Sequence, residues 1–205
     1  ARPPTNGSTL KVKQINFKRI EIARTPVDIA GRKGAAPLLM NKMSDGVIEL
    51  LGGRATGEIV ARPEKTSAND TAEGHIHRIN KKIVFPTGAF RGAIVDACRH
   101  QKIDKKLTMA RVDGAFSVTG DEGAYCVIES DPYTVRADVV NIGKGAQGPP
   151  SVSFRPAFAN WRTKLYLDYN PASVTIEELL HLLDLAGFHV GIGSHRPEFG
   201  KFSVI

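Results

Sequence analysis

An α+β fold is predicted, with helices against one face of an antiparallel sheet, and three stretches of the sequence predict it. Residues 163–205 read as a strand (TKLYLDY), a turn at Asn170-Pro171, an amphipathic helix (TIEELLHLLDLA) and a closing strand (KFSVI), which together make a split βαβ unit. Lys82-Ile83-Val84-Phe85 reads as a short buried strand that feeds a second amphipathic helix, AFRGAIVDACRHQ, in which Phe90, Ile94, Ala97 and Cys98 fall at helical spacing. Leu10 to Ile22 alternates apolar and polar residues as a half-buried strand does. Two such βαβ halves make a ferredoxin-like sheet.

The first strand offers Lys11 and Lys13 to solvent, and its phase slips at Gln14 and Lys18-Arg19 suggest a bulge or short hairpin. Gly31 to Pro37 reads as a flexible basic loop entering the buried run Leu38-Leu39-Met40. Residues 44–78, rich in Gly, Thr, Asn and charge, read as a projecting or mobile insertion. After the Pro86-Thr87-Gly88 turn and its helix, Gly114 to Val118 and Tyr125 to Glu129 read as two strands of a hairpin joined at Thr119 to Gly123. The Gly/Pro-rich segment 141–161 reads as a loop with anchoring aromatics. In the last helix Thr175 and Glu178 form a capping box, Ile176, Leu179, Leu180 and Leu183 face the sheet, and Gly187 supplies the stop.

At 205 residues the chain is expected to fold as one domain, 1–205. With 41% hydrophobic and 24% charged residues its composition is that of a globular protein. No run approaches the roughly 20 apolar residues that cross a bilayer, and ARPPTNGSTL has no signal-peptide core, so a cytoplasmic location is expected. Cys98 and Cys126 sit in apolar contexts without C-x-x-C spacing and read as buried free thiols. Lys and Arg number 28 against 21 Asp and Glu, a net +7 that points to anionic partners. Residues 1–33 alone hold eight bases against two acids, a net +6.

Signatures of chemistry are weak. Gly143 to Gly148 matches G-x-G-x-x-G, but Pro149-Pro150 follow and forbid the helix that would hold a pyrophosphate, so no cofactor is expected. His75 and His77 lie on one face of a possible strand without a third metal ligand, and no metal is expected. Asp121 and Glu122 sit at a predicted hairpin tip, where carboxylates solvate turns. The loop from Gly191 to Phe202 differs: its glycines let a backbone approach a ligand, His195, Arg196 and Lys201 add charge, and Phe199 and Phe202 can stack or pack. A long turn whose glycines only make corners is the other reading.

Three pieces, in order, resemble the RAMP superfamily, the RRM-like proteins that include crRNA-binding backbone subunits of CRISPR complexes. They are the loop and step ending Ala36-Pro37-Leu38-Leu39-Met40-Asn41-Lys42, the strand-to-helix turn Val84-Phe85-Pro86-Thr87-Gly88-Ala89-Phe90-Arg91-Gly92-Ala93, and the terminal glycine loop. Over nearly its whole length the chain also resembles tailed-phage proteins that end in V-G-x-G-x-x-R-P-E-x-G-x-F. The resemblance implies a non-catalytic binder of single-stranded RNA or, less in keeping with it, DNA, which assembles as a helical homo-oligomer along the strand and can meet other CRISPR-complex subunits. It places nucleic acid against Lys33 of the basic loop, Asn41 and Lys42 of the apolar step, and Arg91 of the turn. Arg136, Lys144 and, in the loop, Gly191, Gly193, Ser194, His195, Arg196 and Lys201 complete the set, and the resemblance makes 44–78 and 141–160 the projecting insertion and thumb. Target-cleaving subunits of the superfamily carry an aspartate where Asn41 stands, and an amide cannot do that acid–base work. The alternatives are a metal-independent endoribonuclease using His75 or His77, and a decoy subunit that blocks a host defence complex.

Overall fold

The computed structural model describes residues 22–57, 59, 66–101, 108–141 and 149–205. The expected strand from Leu10 and the 143–148 glycine motif with Lys144 lie outside the described residues. In chain order the elements are β1 (Ala23–Gly31), β2 (Leu38–Leu39), α1 (Asp45–Thr56), α2 (Ala68–Gly74), β3 (His77–Ile79), β4 (Lys82–Pro86), α3 (Thr87–Ala97) and α4 (Met109–Asp113). They continue with β5 (Phe116–Thr119), β6 (Tyr125–Val127), β7 (Thr134–Asn141), β8 (Pro150–Phe158), β9 (Arg162–Tyr169), α5 (Ile176–His189) and β10 (Phe202–Val204).

Four strands form the central sheet in the order β10-β1-β9-β5. β1 is antiparallel to both β9 and β10, so those two run parallel with β1 between them, and α5 is the crossover of a split βαβ unit. β5 is antiparallel to β9 on its other side. The series β1, α3, β5, β9, α5, β10 is the ferredoxin-like fold. Two insertions interrupt it, β2 to β4 with α1 and α2 before α3, and β6 to β8 between β5 and β9. Strand alternation decides which face closes: Val27, Ile29, Phe116, Val118, Leu165 and Leu167 join Phe90, Ile94, Leu179 and Leu183 of the helices in one buried cluster.

The C-terminal helix follows its sequence signals closely at one end only. Glu178 N–H donates to Thr175 Oγ1 at 3.2 Å and Thr175 N–H to Glu178 Oε2 at 2.8 Å, which is the expected capping box. Leu179 and Leu183 are buried as expected, and Leu182 and Ala186 join them, with Ile176 and Leu180 half-buried. Gly187 does not end the helix. It lies inside it because a Cβ there would run into the Phe202 carbonyl group, and the stop is Gly191, at φ 69°, whose N–H donates to Ala186 O.

Other expectations are corrected. The segment 141–161 is largely not a loop: Pro150–Phe158 is a strand paired with β7 from Asn141↔Pro150 to Thr134↔Ala157, and with β2 on its other edge. The proline at 150 begins the strand and Pro156 faces Val135, so neither proline prevents the ladder. The projected hairpin at 114–129 is two strands with different mates, β5 with β9 and β6 with β4, joined by a tight turn in which Gly120 N–H donates to Gly123 O. The segment 44–78 folds in part as α1 and α2. Thr87 opens α3 directly, tied by its N–H and hydroxyl to Ala124 O. Both thiols are free; Cys126 is buried and Cys98 half-buried. Among the described residues no helix is long and apolar enough to cross a membrane.

Candidate nucleic-acid interface

Where β1 ends and β10 begins, two charged loops are laced together by their backbones. Gly31 pairs with Phe202, Arg32 N–H donates to Lys201 O at 3.0 Å, Ala36 bridges to Phe199, and Gly200 N–H donates to Pro37 O at 3.2 Å. Ser194 N–H donates to Leu39 O at 3.0 Å, which seats the glycine loop on β2. Lys33, Ser194, His195, Arg196 and Lys201 are thereby gathered at one end of the sheet. The glycines act inward. A Cβ on Gly193 would stand 2.5 Å from Leu39 O, and the Gly191 amide is bonded to Ala186, so these residues admit the protein's own backbone rather than offering bare amides to a ligand.

The β7–β8 hairpin brings further cations to the loop. Period-two alternation puts Arg136 and Asp138 on one face, and the ladder sets Arg136 opposite Arg155. Arg136 Nε lies 2.7 Å from Asp138 Oδ1, and its guanidinium stands 4.5 Å from the centre of the Phe199 ring. Arg155 Nη1 is 2.7 Å from His195 Nε2 and 3.6 Å from Asp138 Oδ2. His195 meets Phe199 edge to face at 6.1 Å. Beside this cluster Phe188, 47% exposed, carries the cations of Arg32 at 4.8 Å and Lys201 at 5.1 Å. Its neighbour His189 stacks in parallel on His100 at 4.6 Å. Arg196 and Lys33 are exposed and form no hydrogen bond or ion pair among the described residues.

Arg91 is not part of this surface. Its guanidinium pairs with Asp113 Oδ1 at 2.9 Å, donates to Asp113 O at 2.6 Å and lies over Phe116. Phe116 pairs with Tyr169, which pairs with Ala23 at the far end of β1 from Gly31. Eight residue steps at roughly 3.3 Å place that end about 26 Å away. β5 and β10 are also opposite edges of the sheet, so Arg91 and the glycine loop occupy diagonal corners.

Asn41 is exposed just beyond Met40, whose N–H donates to Pro156 O of β8. Lys42 is held by Asp45 at 3.3 Å. His75 caps α2 rather than sharing a strand face with His77, and its Nδ1 lies 2.7 Å from Lys42 O. Burial, with Lys42 nearby, holds His77 below the usual imidazole range. Asp121 accepts from Tyr166 OH at 3.0 Å and Glu122 pairs with Lys82 at 3.1 Å. No group of three metal-ligating side chains occurs among the described residues. The sequence reading missed Arg32, Arg155 and Phe188. Arg155 had a usable signal, since V-S-F-R-P-A-F can alternate as a strand once Pro150 at its start and Pro156 within it are allowed.

No protein-family model matches the sequence, and no curated protein matches it. Among solved structures the fold is similar to a chain of the Type III-B Cmr-beta complex bound to cognate target RNA, with a TM-score of 0.52 at 11% identity. The similarity covers 90% of this chain and 59% of that one.

Proposed function

We propose that the protein binds single-stranded nucleic acid, RNA in preference to DNA, as a non-catalytic component of a CRISPR-like ribonucleoprotein. The carrying observation is the gathering of Arg32, Lys33, Arg136, Arg155, Arg196 and Lys201 around His195 and the exposed Phe188 at one end of the sheet, with Arg136 set against the buried Phe199. An exposed ring among cations suits a flexible polyanion with stackable bases. The likeness of fold to a chain from an RNA-bound Cmr-beta complex supports RNA over DNA and supports partner subunits. Copies assembled along one strand, in a defence or counter-defence role, complete the reading. Met43, Val47, Ile48 and Leu51 around α1 and Val139 and Val152 on the β hairpin leave apolar side chains exposed for such neighbours.

Fluorescence anisotropy with labelled single-stranded RNA and DNA tests it. Binding at about 100 nM protein in low salt is expected, and none on either strand would end the proposal. Images of the protein with a long single strand test assembly. Discrete products from structured RNA, lost on replacing His75 and His77, would make it a nuclease instead.

A further inference from the structure

Arg155 is the cation of the cluster that keeps a buried donor unfilled. Its side chain is 12% exposed, yet its Nε is buried with no hydrogen-bond partner among the described residues, and so is Asp138 Oδ2. Three charged groups face one another here, Arg136 and Asp138 from β7 and Arg155 from β8, with His195 closing the group from the loop. Asp138 leans to Arg136, at 2.7 Å, and stands off Arg155, at 3.6 Å. Two guanidiniums share one carboxylate, and a positive charge with an idle donor is left in a place largely closed to water. That arrangement is costly by itself and is relieved by an anionic oxygen.

The geometry also fixes what His195 does. Arginine nitrogens only donate, so the 2.7 Å contact from Arg155 Nη1 requires His195 Nε2 to be the acceptor and the ring to be neutral, with its proton on Nδ1. An imidazolium has no acceptor to offer and would set a third cation against Arg136 and Arg155.

Resting on the reading above, we propose that Arg155 is a phosphodiester anchor of the interface and that His195 caps it, yielding to the phosphate. A phosphate oxygen takes the donors that His195 and Asp138 leave unfilled.

The test uses the full chain, wild type and Arg155→Gln, with two readouts. In anisotropy with single-stranded RNA, Arg155→Gln is expected to bind about 10- to 100-fold more weakly, the weight of a charge-assisted hydrogen bond. Equal RNA affinity for wild type and Arg155→Gln, with both folded by circular dichroism, overturns the proposal and leaves the nucleic-acid reading standing. The second readout is the imidazole nitrogen NMR spectrum. It should show His195 protonated on Nδ1 at neutral pH, and inorganic phosphate should shift those signals in wild type but not in Arg155→Gln. A proton on Nε2, or phosphate shifts that persist without Arg155, overturns it even if RNA does not bind. Loss of RNA binding with an unchanged thermal midpoint supports it, because a structural role alone would lower both.

Discussion

Replacing Arg196 by alanine and, separately, Arg91 by alanine tests which end of the sheet meets the polyanion. Four cations at the loop end, Arg32, Lys33, Arg196 and Lys201, form no ion pair among the described residues, and Arg155, which shares Asp138 with Arg136, is a fifth. If each neutralises one phosphate, the slope of log affinity against log salt is about −0.7 times five, or roughly −3.5, for a single strand. Affinity should then fall about 100-fold between 50 and 200 mM salt. Arg196→Ala removes one of the five and should flatten the slope by about 0.7. Arg91→Ala removes a charge already paired with Asp113 at the opposite corner, so its slope should match the wild type, with only a surface pair lost from stability. Anisotropy titrations at four salt concentrations measure all three slopes. The reasoning fails if Arg91→Ala flattens the slope as much as Arg196→Ala, or if the wild-type slope is shallower than about −1.

Trp161, 2% exposed and in contact with Phe90 and Phe202, should cost about 3–5 kcal/mol on conversion to alanine, read as a shift of the urea midpoint; a loss under about 1 kcal/mol would deny it a place in the core. Burial pushes the Cys126 thiol up to about 11, against roughly 8.5 in an unfolded chain. Between those values the folded protein keeps a proton the unfolded chain has lost, so stability should fall by up to about 3 kcal/mol as pH rises through that window. Cys126→Ala should remove that decline in denaturation curves taken from pH 8 to 11. Arg24→Ala and Lys164→Ala, on the open face of the sheet, should leave RNA affinity within about twofold, because each cation already pairs with a carboxylate, Asp168 and Asp28 respectively.

What the sequence made legible was whatever a few neighbouring residues decide. The capping box of α5 is complete within four positions, and the strand after it needs only alternation to be read, so the split βαβ unit was visible. Features decided by distant partners were not. Gly187 reads as the helix stop until Phe202 packs against it, which leaves Gly191 to take the left-handed turn. Pro149-Pro150 and the glycines before them read as loop, because a strand that begins with proline is recognised by its mates, β7 and β2, rather than by its composition. Arg91 sat in the expected turn but was drawn away by Asp113, a residue 22 positions on that no local pattern links to it. The clustering of Arg136 with Phe199 and of Arg155 with His195 has the same character, as each pair joins an insertion to the C-terminal loop.

The same distinction separates two surfaces that a ferredoxin-like sheet could offer a nucleic acid. The open face of the sheet holds a hollow of about 500 Å³, yet Asp28, Asp121 and Glu129 line it against Arg162 and Lys164, three acids to two bases. Its half-buried aromatic is already engaged: the Tyr166 hydroxyl donates to Asp121, a bond that raises the phenol above its usual range, and Arg24 lies 4.9 Å from the ring centre. A polyanion arriving there would have to break ion pairs and meet an excess of carboxylates. At the loop end the balance reverses, since against Asp138, which pairs with Arg136 and Arg155, and the exposed Glu198 of the loop stand four more cations, Arg32, Lys33, Arg196 and Lys201, facing solvent or aromatic rings. The two insertions into the fold are what create this asymmetry. One supplies β2, on which the glycine loop rests, and the other supplies the hairpin that carries Arg136 and Arg155, so the proposed binding surface is built by what interrupts the sheet rather than by the sheet itself.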